Sequence, residues 1–209
     1  MPHKIKKLLE KISREKAPGP APTFSVWHIL KTLELAAEKS IGRTKLAEEL
    51  KIGQGAARTI INRLKVAGLI STSKMGCTLT EKGRKLWEEY KRVLWKKVEI
   101  ESSELVDAKY SFAILAKNCG HKIKSGIEQR DAAVKVGAKG AVTIIFKNGQ
   151  LIIPSVSADF AVNFPKTAEH IIKVLQPEEN DVIVISGADS IDLAEYGVTA
   201  AAWTLFDDC

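Results

Sequence analysis

The stretch from Thr44 to Thr80 restricts the possible folds more than any other part of this 209-residue chain. Thr44–Leu50 reads as a helix with Thr44 placed to cap it, Lys51-Ile52-Gly53 as a short turn, and Gln54–Ala67 as a second helix. Gly68-Leu69-Ile70, a polar turn around Lys74 to Gly76, and Cys77-Thr78-Leu79-Thr80 then read as a hairpin. Two helices joined by a three- or four-residue turn containing glycine form a helix-turn-helix unit, and a hairpin after the second helix is a wing.

The periodicity of the second helix separates its two sides. At 100° per residue Ala57, Ile60, Ile61 and Leu64 collect on one side, which is the core side. Gly55, Arg58, Thr59 and Asn62 fall opposite, flanked by Arg63 and Lys65. Arginine can bridge guanine O6 and N7, asparagine can pair with adenine N6 and N7, and threonine offers a hydroxyl and a methyl. At the helix start, Gln54 and the side-chain-free Gly55 leave backbone N–H groups open to a phosphate. On the wing, Lys74 is the charge placed to reach phosphate or the minor groove. The expected duplex-DNA contacts are therefore Thr44, Gln54, Gly55, Arg58, Thr59, Asn62, Arg63, Lys65 and Lys74. The competing reading is an ordinary solvated helix face.

Leu46-Ala47-Glu48-Glu49-Leu50, Ala57-Arg58-Thr59-Ile60-Ile61-Asn62-Arg63-Leu64, Ala67-Gly68-Leu69-Ile70 and Leu79-Thr80-Glu81-Lys82-Gly83 resemble the winged helix-turn-helix family of prokaryotic transcriptional regulators. The resemblance covers about Phe24 to Tyr90. One departure is Gly53-Gln54-Gly55, where the family often has Ser or Thr capping the recognition helix. A basic winged helix followed by a small α/β domain also resembles a group of archaeal regulators whose C-terminal domain has no assigned function.

Charge is divided unevenly. Residues 1–100 hold 22 Lys+Arg against 10 Asp+Glu, a net of +12, and residues 101–209 hold 10 against 15, a net of −5. A basic half that carries a helix-turn-helix is the electrostatic footprint of a polyanion partner. Apolar content of 45% suits a soluble globular protein, and no apolar run reaches the 18 residues of a membrane span. No secretory leader is expected. Three widely spaced cysteines, Cys77, Cys119 and Cys209, fit a reducing cytoplasm better than a disulfide framework.

In chain order, the segment to residue 22 comes first: a short basic amphipathic helix with Ile5, Leu8, Leu9 and Ile12 on its apolar side, then the proline-rich linker Ala17–Pro22. The helix could lie along phosphates, pack on a partner or remain solvated. Residues 23–80 form the winged domain, whose first helix, Phe24–Ser40, buries Trp27, Leu30, Leu33 and Ala37. His28 has no companion at metal-ligand spacing and reads as structural or surface. Cys77 reads as a small core residue. Residues 81–100 are expected to continue as one connecting helix to Glu99, long enough to lie against a second copy. A two-fold operator calls for a homodimer.

From 101 to 209 the pattern changes to α/β. Strands are expected at Tyr110–Lys117, Gly140–Phe146, Gln150–Ile153, Val182–Ser186 and Ala200–Leu205, with helices at Ser125–Val136, Pro165–Leu175 and Ala188–Tyr196. Asn148-Gly149 signals a tight hairpin. Together these predict a small mixed sheet with packed helices, so the fold class is α/β overall with an α+β winged helix-turn-helix at the N-terminus. A ligand site is expected at Ser186, Gly187, Ala188, Asp189 and Ser190, where a buried strand opens into a helix. The ligand would be a small-molecule effector. Cys119 and His121 offer two metal ligands where a site needs three or four. No constellation supports catalysis, and no cofactor is expected. The reading is a non-enzymatic, cytoplasmic, DNA-binding transcriptional regulator without membrane attachment. Its alternatives are an RNA-binding or architectural protein, a protein-assembly module, and an enzyme fused to a winged domain.

Overall fold

The structure, a computed structural model, describes residues 2–14, 22–101, 105–156 and 160–206. It divides into two compact units, Met1–Tyr90 and Lys91–Cys209. The proline-rich linker at Ala17–Pro22 lies outside the described residues except for Pro22, as does Cys209.

The N-terminal unit contains α1 (Pro2–Ser13), α2 (Val26–Glu38), α3 (Arg43–Glu49), α4 (Gln54–Val66), β1 (Ile70–Ser73), β2 (Gly76–Leu79) and α5 (Glu81–Val93). Apolar spacing explains why α1 is part of the fold. Ile5, Leu9 and Ile12 share one face, are buried, and pack on α2 and α4. In α2, Trp27, Leu30 and Leu33 are buried as expected, with Ala36 rather than Ala37 completing the stripe. His28 is structural: its Nδ1 accepts the Ser25 backbone N–H at 3.0 Å, the place a glutamate takes in a capping box.

The start of α3 differs from expectation. Its N-cap is Gly42, and Thr44 lies inside the first turn. The cause is upstream: Ile41 bridges Cys77, with N–H···O bonds of 3.1 and 2.9 Å, and this holds the chain extended until Gly42. The end of α4 is a Schellman motif. Gly68 takes φ +72°, its N–H bonds the Lys65 carbonyl, and Leu69 N–H bonds the Leu64 carbonyl. Thr80 then links this turn to α5, donating to the Gly68 carbonyl at 2.7 Å and accepting from Gly83 N–H at 3.0 Å.

The long helix expected over Glu81–Glu99 stops at Val93, and the chain continues as strand β3 (Leu94–Ile100). Pairing with the next strand overrides a helical spacing that had no glycine or proline to end it. The C-terminal unit continues with β4 (Tyr110–Ala116), α6 (Ile127–Lys135), β5 (Gly140–Lys147), β6 (Gln150–Ile152), α7 (Phe160–Asn163), α8 (Pro165–Leu175), β7 (Val182–Ala188) and α9 (Ile191–Trp203). Its five-stranded sheet has the order β3-β4-β7-β5-β6. Every neighbouring pair is antiparallel, so among the described residues the strand directions of this sheet, expected as mixed, simply alternate. Asn148 and Gly149 join β5 to β6 with φ of +52° and +74°, the left-handed pair a two-residue hairpin needs.

One face of the sheet, through Ala113, Leu115, Ile144, Ile183 and Ile185, packs on Phe160 of α7 and on Ala168, Ile171 and Leu175 of α8. Helices α6 and α9 also pack on the sheet. The expected closing strand at Ala200–Leu205 is instead the end of α9 followed by a 3-10 turn, Thr204–Phe206. Ala200, Ala201 and Ala202 are strong helix formers, and burial of Ala194, Val198 and Ala201 keeps a helical period. The overall class stands: an α+β winged helix-turn-helix unit followed by a sheet with packed helices.

Candidate nucleic-acid interface

The helix-turn-helix is built from α3, the turn Leu50–Gly53 and α4. The turn closes with Lys51 at φ +51° and Ile52 N–H on the Ala47 carbonyl. Ala57, Ile60 and Leu64 anchor α4 in the core, fully buried, and Ile61 is half-buried beside them. That anchoring turns Arg58 and Asn62, one helical turn apart, to the outside. Among the described residues neither side chain has a hydrogen-bond or ion-pair partner.

Arg58 and Asn62 share a groove of about 400 Å³ with Arg43 and Thr44 of α3 and with Thr72 and Ser73 of the wing. The wing is fixed to the helices. Gly76 sits at φ +121° directly against Ile41, where a Cβ would come within 2.5 Å of the Ile41 carbonyl group. Ser40 also donates to the Met75 carbonyl at 2.8 Å. Behind the groove, the buried thiol of Cys77 donates to the Ile41 carbonyl, and burial pushes its pKa up. A cation, an amide and hydroxyls thus converge from three elements on one concave surface.

The remaining expected contacts divide. Gln54 and Gly55 are exposed in the first turn of α4, whose N-cap Gly53 supplies no side-chain acceptor, so the first N–H groups stay open. Thr59 is half-buried and donates its hydroxyl to the Gly55 carbonyl at 3.0 Å, leaving its methyl and lone pairs outward. Lys65 and Lys74 are exposed. Arg63 is engaged elsewhere: its guanidinium donates to the Ile12 and Arg14 carbonyls at 2.8 and 2.7 Å and lies 5.1 Å from the Phe24 ring centre. Lys82 donates to the Ala67 carbonyl at the end of α4. Arg43 is the residue that sequence reasoning passed over. Its signal was a basic side chain directly after Gly42, at the first position of α3.

The ligand site expected at Ser186–Ser190 is not an open one. Ser186 and Gly187 of β7 are paired on both sides, Ala188 ends the strand paired to Tyr110 of β4, and the Ser186 hydroxyl donates to the Gly140 carbonyl at 3.1 Å. Gly197 of α9 fills the space above, since a Cβ there would lie 2.5 Å from Ser186 Oγ. Asp189 pairs with Lys139 at 2.7 Å, and Ser190 is the N-cap of α9. The crevice at strand ends belongs to parallel sheets, and this sheet is antiparallel. Cys119 is buried and donates to the Lys117 carbonyl, whereas His121 is exposed beside Asn180. Among the described residues no group of three or more His, Cys, Asp or Glu is placed to hold a metal ion. Among them, too, no helix is long and apolar enough to cross a membrane.

Residues 25–94 match the family model described as the CggR N-terminal DNA binding domain, and residues 107–205 match a domain of unknown function, DUF4443. None of the curated proteins matches the chain. Among solved structures the chain is similar to the hypothetical protein PH0730 from Pyrococcus horikoshii OT3. Identity is 26%, covering 87% of this chain and 92% of that one, with a TM-score of 0.69. The chain therefore joins a region of DNA-binding type to an unrelated region similar to a domain of unknown function.

Proposed function

We propose that this protein is a sequence-specific transcriptional regulator that sets α4 in the major groove of duplex DNA. Arg58 and Asn62 read base edges, and the Thr59 methyl packs beside them. Arg43, Thr44, Gln54, Gly55, Lys65 and Lys74 hold phosphates, with the wing against the backbone or minor groove. Arg63 supports this surface from behind by fixing α1. The observation that carries the reading is the convergence of unpartnered Arg58 and Asn62 with the wing and the start of α3 on one groove. The match of residues 25–94 to a DNA-binding domain supports it. In the same reading the protein works as a homodimer in the cytoplasm, and the C-terminal unit takes the effector or holds the assembly together.

Selection of random duplex DNA by the full chain at two salt concentrations, with an Arg58→Ala/Asn62→Ala double variant in parallel, tests this. The expected result is a motif that the variant fails to enrich. A two-fold motif would also carry the homodimer. Weak, salt-sensitive retention without a motif, equal for both proteins, would overturn base reading and favour an RNA-binding or architectural role.

A further inference from the structure

The C-terminal unit contains a second concave site, unrelated to the β7 segment. Strand β6 pairs only with Ile145–Lys147 of β5. Among the described residues, Ala141–Thr143 therefore have no strand neighbour on that side, and an unpaired edge presents backbone N–H and C=O groups outward. A pocket of about 360 Å³ lies at this edge, within the range of small-molecule sites. Its walls are mainly apolar, formed by Val142, Ile153 and Phe164, with Ile127 at the rim.

Three polar side chains, Ser125, Arg130 and Thr143, break that apolar lining. Arg130 of α6 lines the pocket, is exposed, and has no ion-pair partner among the described residues. Thr143 lines it too, is only 4% exposed, and its hydroxyl has no hydrogen-bond partner among the described residues. A buried hydroxyl without a partner is costly to keep. Gly126, the N-cap of α6 at φ +79°, lies against it, with a would-be Cβ 3.2 Å from Thr143 Oγ1. Ser125, Gly126 and Ile127 at the start of α6 line the pocket, and although Ser125 Oγ accepts the Ile127 N–H at 3.5 Å, the positive end of the helix dipole adds to the Arg130 charge. None of the described lining residues is acidic.

From this we infer that the pocket binds a small amphipathic carboxylate. The acid pairs with Arg130 and the α6 N-terminus, and an apolar body of about seven to nine carbons fills the space between Val142, Ile153 and Phe164. The inference rests on the C-terminal unit alone and does not depend on the DNA reading.

Calorimetric titration of the full chain tests it, with octanoate and 4-phenylbutyrate as probes and 1-octanol and 4-phenylbutanol as neutral controls of the same shape. The acids are expected to bind at least ten-fold more tightly than the alcohols. Arg130→Gln should bring acid affinity down to the alcohol level, and Val156→Asp, at an 80% exposed rim position, should weaken the acids selectively. Both are surface changes, and an unchanged melting temperature verifies that each variant folds. Equal binding of acids and alcohols, no binding of either acid, or an Arg130→Gln variant that retains acid affinity would overturn the proposal. Preferential binding of an extended peptide along the β5 edge would overturn it as well.

Discussion

The Arg63 guanidinium, on the flank of α4, donates to the Ile12 carbonyl at the end of α1, 2.8 Å away. The same group bonds the Arg14 carbonyl and covers the Phe24 ring. It thus satisfies carbonyls that a helix end leaves without partners, in the part of the helix where the dipole favours a cation. Arg63→Ala should cost about 1.5–3 kcal/mol, the range for hydrogen bonds to a charged group. Amide exchange across Leu9–Ser13 should accelerate, which exchange mass spectrometry would detect. Unchanged protection there would show that Ile5, Leu9 and Ile12 hold α1 by themselves.

Two glycines should respond in opposite ways. A Cβ on Gly83 would lie 2.0 Å from the Leu69 carbonyl oxygen, a backbone atom that no rotamer change can move. Gly83→Ala should therefore cost about 2 kcal/mol or more in a urea melt, at the upper part of the overpacking range. Gly55 has open space around it, and Gly55→Ala should gain up to about 1 kcal/mol of helix stability. That gain should come with weaker DNA binding, because the added methyl stands where the backbone would approach a phosphate. A stabilised variant with full affinity would place the phosphate elsewhere.

Acid should weaken the N-terminal unit through His28. Burial lowers its pKa from 6.5 to about 4, so the folded ring stays neutral while the unfolded one takes up a proton. Between those values the unfolded state binds more protons, and stability rises with pH. The contribution is complete above pH 6.5 and is lost as pH falls towards 4. His28→Gln keeps an acceptor for Ser25 N–H without a titrating group. Its melting temperature should fall less than that of the parent between pH 7 and 4.5, and parallel curves would assign the acid sensitivity to other groups.

Ser111 is fully buried, and its hydroxyl has no hydrogen-bond partner among the described residues. Ser111→Ala removes an unsatisfied group with little change in volume and should stabilise the C-terminal unit by about 1 kcal/mol. Thermal melts of the full chain would show this as a rise in the later or earlier transition alone. A loss of stability would mean that Ser111 Oγ has a partner in solution, such as ordered water.

How far the sequence could be read depended on whether local and long-range forces agreed. In α4 they agree: the apolar repeat Ala57, Ile60, Leu64 is buried, and the hydrogen-bonding face opposite it is exposed. At Leu94–Ile100 they compete. Leu94 and Val98 continue the step of Leu86 and Tyr90, but Val98 and Ile100 also alternate, and only pairing with β4 decides for strand. The α9 end was missed because strand-helix alternation was carried one step too far over an alanine-rich run. At the interface, the outward orientation of Arg58 was readable from periodicity. The diversion of Arg63 to α1 was not, because its partner lies about fifty residues away. Nor was the pocket beside Arg130, which depends on where β6 ends.

The position of β7 has a consequence for how the chain acquires its structure. This strand lies at the centre of the sheet, paired to β4 and β5, yet it comes last of the five in chain order. Tyr110 meets its partner Ala188 only after β5, β6, α7 and α8 have been made. The helical N-terminal unit closes largely through contacts near in sequence. It can therefore fold on the ribosome while β4 and β5 still await the strand that joins them. Until β7 arrives, those two strands each have an open edge, and this interval is when the nascent protein is most exposed to aggregation.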